Sequence, residues 1–211
     1  MQEENLNLHY VYAPEVLEFV RSCNAFCSYL ETLSETQAQD FIPDMIGLLS
    51  GIYASAVKID QPEPIYDGNE KVVTEEDWSL VYRTAAKVLG PYNAYLRIVD
   101  EEDYDRSDLI THNISEDLSD IYQELRDFTG LYSRGLEDIM NDALWEVRGN
   151  FEEHWGEKLL NALAALHRLY VKKVDLEWSN NHISGEVGQK PPDFDNSLFE
   201  RYRDQSGKED E

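Results

Sequence analysis

Cysteine, glycine, proline and basic residues are all scarce in this chain, and each scarcity closes a class of protein. Two cysteines in 211 residues do not make a disulfide scaffold, and 11 glycines with 7 prolines exclude collagen-like and low-complexity chains. No apolar run approaches the ~18 residues that cross a bilayer, so no membrane span is expected. Only 18 Lys and Arg stand against 43 Asp and Glu, a formal charge of −25 that repels phosphate backbones and anionic lipid. Direct binding to nucleic acid or to membranes is therefore not expected. Basic proteins, polyamines and divalent cations are the natural counter-charges. The sharpest use of such a charge is an acidic mimic of DNA that inhibits a DNA-binding protein; solvated acidic faces are the commoner one.

Material for a core is present. Hydrophobic residues make up 42% of the chain and aromatics 11%, with 13 Tyr and 4 Trp, which is too apolar for a disordered acidic chain. The length suits one domain, or one domain with an extension. The opening segment, MQEENLNLHYVYAPEVLEF, has no basic stretch followed by an apolar core, so no signal peptide is expected. Cys23 and Cys27 fall at i, i+4 among Val20, Phe26 and Leu30. Two ligands do not make a zinc site, so they read as packed free thiols of a protein in a reducing cytoplasm.

Helical periodicity runs through most of the chain. Pro14 suits a first turn, and Val16, Val20, Cys23, Phe26 and Leu30 then mark a helix over about 14–33. A second runs from Phe41 to Ile59, followed by the turn-rich QPEPIYDGNEK at 61–71. Thr74 and Asp77 form a capping box with Asp in place of Glu, opening a helix through Trp78, Val81, Ala85 and Leu89 that Gly90-Pro91 ends. Tyr92–Val99 is predicted as a short helix and 100–108 as an acidic loop. Ser115 is the expected N-cap of the next helix, whose buried stripe is Leu118, Ile121, Tyr122, Leu125 and Phe128. Glu116, Asp120, Glu124 and Asp127 face away from that stripe. The longest pattern spans about 136–173. The expected fold is all-α: a single bundle of about six helices with a long C-terminal helix over 1–178. A polar extension follows over 179–211, with one short helix at Leu198, Phe199 and Tyr202.

Four segments together are familiar: VTEEDW at 73–78, the acidic loop after Tyr95-Leu96, ISEDLSDIYQEL at 114–125, and FEEHWGEKLLNALAALH at 151–167. Over roughly 10–170 the chain resembles an uncharacterised bacterial family of small all-helical proteins, catalogued as a domain of unknown function. The resemblance implies a helical fold and a bacterial, intracellular setting. It carries no activity, cofactor or catalytic residue.

Signature motifs of chemistry are missing. There is no GxxxxGK[ST] loop, no HExxH helix, no GxSxG elbow and no basic recognition helix. All-α nucleotide pyrophosphatases hold Mg²⁺ with carboxylates at i, i+3 or i+4 on facing helices. Asp117 and Asp120 have that spacing, with Glu124 and Asp127 beyond, and Glu137, Asp138 and Asp142 offer a second set. On a wheel of about 100° per residue, however, only Asp117 lies near the apolar edge. In the long helix, Met140, Leu144, Val147 and Phe151 lead on to His154 and Lys158. Near Gly156 the stripe rotates to Trp155, Leu159, Ala162 and Leu166. The helix is therefore expected to bend or change partner there. His154 and Lys158, with Asp117 or Glu153 as counter-charge, make a candidate pocket, against the plainer reading of a solvated rim. Trp145 falls about 160° from Val147 on the wheel and is the candidate interface residue. The leading expectation is a non-enzymatic cytoplasmic module that binds a protein partner, a second copy included. It needs no cofactor. The alternatives are a metal-dependent hydrolase of nucleotides or other phosphorylated small molecules, and the DNA mimic.

Overall fold

The computed structural model describes residues 10–33, 38–66, 68–98 and 109–177. Helix α1 (Pro14–Glu31) begins on its proline and buries Val16, Phe19, Cys23, Phe26, Cys27 and Leu30. Helix α2 (Phe41–Ala56) follows. Helix α3 (Glu75–Leu89) is opened by the expected capping box: the Asp77 N–H donates to Thr74 Oγ1 at 3.2 Å and the Thr74 N–H to Asp77 Oδ2 at 3.0 Å. Gly90, at φ +53, stops it.

Helix α4 (Ile114–Tyr132) is the axis of the fold, flanked by α1, α3, α5 (Glu137–Asn150) and α6 (Gly156–Val171), while α2 packs on α1 and α6. Its buried positions run around most of its circumference, from Ile114 to Leu131. That is the mark of a central helix rather than an amphipathic cover. Phe19, Phe128 and Trp155 meet at the centre of the core, with ring centroids 5.3 and 6.3 Å from Phe19. Cys23 and Cys27 are buried free thiols, and desolvation pushes Cys27 up to about 12.

The rotation of the stripe near Gly156 has a structural cause. Residues Phe151–Trp155 form a π turn that joins α5 to α6 as one continuous rod. Each π turn inserts one extra residue and re-aims everything beyond it. Before the turn the rod presents Leu144 and Val147 to the core; after it, Trp155, Leu159 and Leu166. The Trp155 indole N–H donates to the Val147 carbonyl at 2.9 Å.

Two expectations are corrected. The helix predicted over Tyr92–Val99 is a 3₁₀ turn, Gly90–Tyr92, followed by strand β1 (Ala94–Ile98). This strand pairs antiparallel with β2 (Leu109–Asn113), placing Tyr95 opposite His112 and Leu96 opposite Thr111. Tyr95 is buried while Leu96 is 56% exposed, as the two faces of a strand direct successive residues. With that segment removed and α5 and α6 fused, the described residues hold five continuous helical rods rather than six. The acidic loop at 100–108 and the extension at 179–211, with its short helix at 198–202, lie outside the described residues. No helix among the described residues is long and apolar enough to cross a membrane.

Candidate functional site

Asp117 sits in the first turn of α4, only 4% exposed, and accepts the Tyr95 hydroxyl at 2.5 Å. Burial raises its pKa to about 6, against the lowering influence of the Tyr95 hydrogen bond, Lys158 and His112. One turn on, Asp120 accepts the Trp78 indole N–H at 2.8 Å and pairs directly with Lys158. The Trp78 ring in turn stacks on Tyr82 at 5.4 Å. Glu124 accepts Asn150 Nδ2 at 2.7 Å. Asp120, Gln123, Glu124, His154, Trp155 and Lys158 line an open cleft of about 260 Å³.

Of the three pocket residues expected from sequence, Asp117 and Lys158 come within electrostatic reach of each other, with Asp120 between them. Asp117 is no part of the cleft's lining; His154 lines the same cleft as Lys158. It lies on the cleft's rim with its side chain 64% exposed, and Nε2 is 3.8 Å from Glu153. The counter-charge of Lys158 is Asp120, a residue the wheel placed toward solvent.

A larger correction concerns Asp127, which also reads as outward-facing but is 4% exposed. The connection at 59–73 lies across α4 and α5 and buries that face. Asp127 Oδ1 accepts the N–H groups of Val72 and Val73, both at 2.7 Å. Asp142 does the same for Ile65 and Tyr66, at 2.7 and 2.8 Å. Asn141 holds the Glu63 carbonyl at 2.8 Å, Asn69 holds Glu146 Oε2 at 2.8 Å, and Arg148 Nε donates to the Ile59 carbonyl at 2.8 Å. Lys71 completes the strap, 2.9 Å from Glu146 and 3.7 Å from Asp127. These carboxylates substitute for a missing β partner, giving irregular backbone the acceptors it needs once buried.

The acids nominated for a metal are thus parted. Asp142 and Asp127 hold the strap, Asp138 takes the Tyr66 hydroxyl, and Asp120 holds Lys158 and Trp78. Among the described residues no three His, Cys, Asp or Glu side chains come together to hold a metal ion. Trp145, the candidate interface residue, is half-buried, and Gln61 Nε2 donates to its carbonyl at 2.9 Å.

A second concavity was not expected from sequence. Helices α1 and α3 both lie on α4 but barely touch each other, which leaves a groove of about 420 Å³ between them. Its walls are Leu30, Leu33, Val72, Val73, Leu80 and Val81, and its floor is Tyr122 and Arg126. Tyr122 Oη and Arg126 Nε both donate to Glu31 Oε1 at 3.0 Å, and Asp77 closes one side. Leu80 is 60% exposed and Val72 39%. The only sequence signal was Leu80 itself, an apolar residue off the stripe of α3.

A family model described as a domain of unknown function, DUF5063, matches residues 10–172. Among solved structures, the crystal structure of protein BF1032 from Bacteroides fragilis, a structural genomics target, is 33% identical with a TM-score of 0.67. That match covers 76% of this chain and 94% of the other. No curated protein matches.

Proposed function

Because the chain belongs to the DUF5063 family, a domain of unknown function, no activity comes with membership, and we propose that it is a protein-interaction module whose α1–α3 groove receives an amphipathic helix of a partner. The observation that supports this most is the groove itself: two helices splayed on a third, with exposed Leu80 and Val72 on its lips and a polar floor already paired internally. In such a seat the apolar anchors of the incoming helix cover the walls. The lips carry Glu31 and Asp77 on a chain of charge −25, so the helix that fits is basic on its flanks. A second copy brings the same charge and is the poorer fit.

Titration calorimetry with an amphipathic helical peptide of leucine and lysine tests the seat. Leu80→Glu adds a negative charge, so it strengthens attraction to a basic peptide if only diffuse electrostatics act. If the groove is the seat, the same change puts a carboxylate where an apolar anchor belongs. The expected result is binding weakened by about tenfold or more, roughly 1.4 kcal/mol. Unchanged or tighter binding by the Leu80→Glu variant removes the groove as the docking site.

A further inference from the structure

A different face of the molecule carries a second surface, around the N-terminus of α5. The loop entering that helix holds Gly135 at φ +69 and ends on Leu136, which occupies the N-cap position without a side-chain hydrogen bond. Four large side chains stay open around it: Tyr12 at 46% exposure, Ile65 at 45%, Tyr66 at 59% and Leu136 at 59%. The two tyrosines meet the first turn of α5. Tyr66 Oη donates to Asp138 Oδ2 at 3.1 Å, and the Tyr12 phenol lies beside the neighbouring Glu137. Asp142 fixes the backbone beneath Ile65 and Tyr66. The Tyr66 ring is therefore held at its hydroxyl end, and part of the ordering cost of a contact is met before a partner arrives.

We propose that this face binds an arginine-bearing segment of a basic protein partner, with guanidinium groups stacked over Tyr12 and Tyr66 and apolar neighbours covering Leu136 and Ile65. Asp138 already accepts from Tyr66, and it and Glu137 have acceptor capacity left at the ring edges, where a guanidinium fork reaches. Arginine suits the site better than lysine because its planar head stacks on an aromatic face and is less strongly hydrated. A second copy of this chain is disfavoured by its own charge of −25. Tyr12 precedes α1, whereas the groove lies at that helix's other end, so this surface stands without the groove.

Calorimetry on the full chain with two peptides, alternating arginine–leucine and alternating lysine–leucine, tests the inference. Tyr12→Ser/Tyr66→Ser removes both rings and no charge, and a thermal melt checks its fold. The expected result is about fivefold tighter binding of the arginine peptide to the parent, with that preference lost in the double variant and lysine-peptide binding unchanged. Leu80→Glu, which disables the groove, leaves the arginine preference intact. Equal affinity of both peptides for the parent overturns the proposal, as does a preference that survives in the double variant. Self-association of the parent that the double variant abolishes overturns it as well, by assigning the face to a second copy.

Discussion

Asp117 and Asp127 share one helix and are buried to opposite effect. Asp127 satisfies two backbone N–H groups of the strap, so Asp127→Ala leaves both without a partner at ~1–3 kcal/mol each. Urea unfolding is expected to show a loss of about 2–4 kcal/mol, with faster amide exchange at Val72 and Val73. Asp127→Asn, which keeps an acceptor oxygen, is expected to cost less. Asp117 behaves differently, because its folded-state pKa of about 6 stands above the ordinary 3.8. Between those values the folded chain holds a proton that the unfolded chain has released. The group's favourable contribution is therefore complete at low pH and lost as pH rises through about 6. Above that, the buried carboxylate costs up to ~3 kcal/mol. Asp117→Asn keeps an acceptor for Tyr95 and removes the titration. The variant is expected to be more stable than its parent at pH 8, with the gap closing toward pH 4, measured by urea unfolding across that range. A gap independent of pH removes the assignment.

At the scale of elements, the π turn gives the sharpest expectation. A Cβ added at Gly156 meets the Phe151 carbonyl oxygen at 2.3 Å, a backbone contact that no side-chain motion relieves. Gly156→Ala must therefore open the turn or shift α6 against α4. A loss of about 1–3 kcal/mol is expected despite alanine's better helix propensity, read as a lower urea midpoint. An unchanged or higher midpoint shows that the turn relaxes freely. The rotation of the stripe there is legible in the sequence, since apolar residues before and after Gly156 follow one helix with a phase break. Helices α1 and α3 are legible for the same reason, through a local 3.6 period that Pro14 and the Thr74–Asp77 box open; α4 is legible by its period, but its N-cap is Asn113 and the expected cap, Ser115, is buried in its first turn. The hairpin is not legible. Tyr92, Tyr95, Leu96 and Val99 fall on a helical spacing, and what makes 94–98 a strand is its distant partner at 109–113. Asp120 and Asp127 fail for a related reason. A wheel compares a helix only with itself, and their faces are covered by Trp78, Lys158 and the 59–73 connection, arriving from elsewhere in the chain. Lys158 is legible as a cleft residue because it sits at a stripe edge, but its counter-charge is Asp120 rather than Asp117 or Glu153, for the same reason.

At the scale of the whole molecule, the excess of acidic charge opposes compaction, and salt relieves it. Going from 10 mM to 150 mM sodium chloride shortens the screening length from ~30 to ~8 Å, which quiets repulsion between distant carboxylates. Close pairs such as Lys71–Glu146 and Lys158–Asp120 are weakened as well, but they are few beside 43 acidic residues. The midpoint of thermal unfolding is therefore expected to rise with salt and level off, equally in sodium and potassium chloride. Divalent cations relieve the same repulsion more strongly, so the informative comparison holds ionic strength constant. Under that condition Mg²⁺, Mn²⁺ and Zn²⁺ are expected to act alike, and nucleotides to add nothing, because the carboxylates at 120, 127 and 142 are already bonded to groups of their own chain. A ligand bound at about 100 times its dissociation constant adds roughly 2.7 kcal/mol, a shift that stands clear of a general cation effect. One metal that stands out, with one class of nucleotide, overturns the interaction module in favour of a phosphate hydrolase. It also requires the Lys158–Asp120 pair or the strap to open; Asp120→Asn abolishes the shift in the first case and Asp127→Asn in the second.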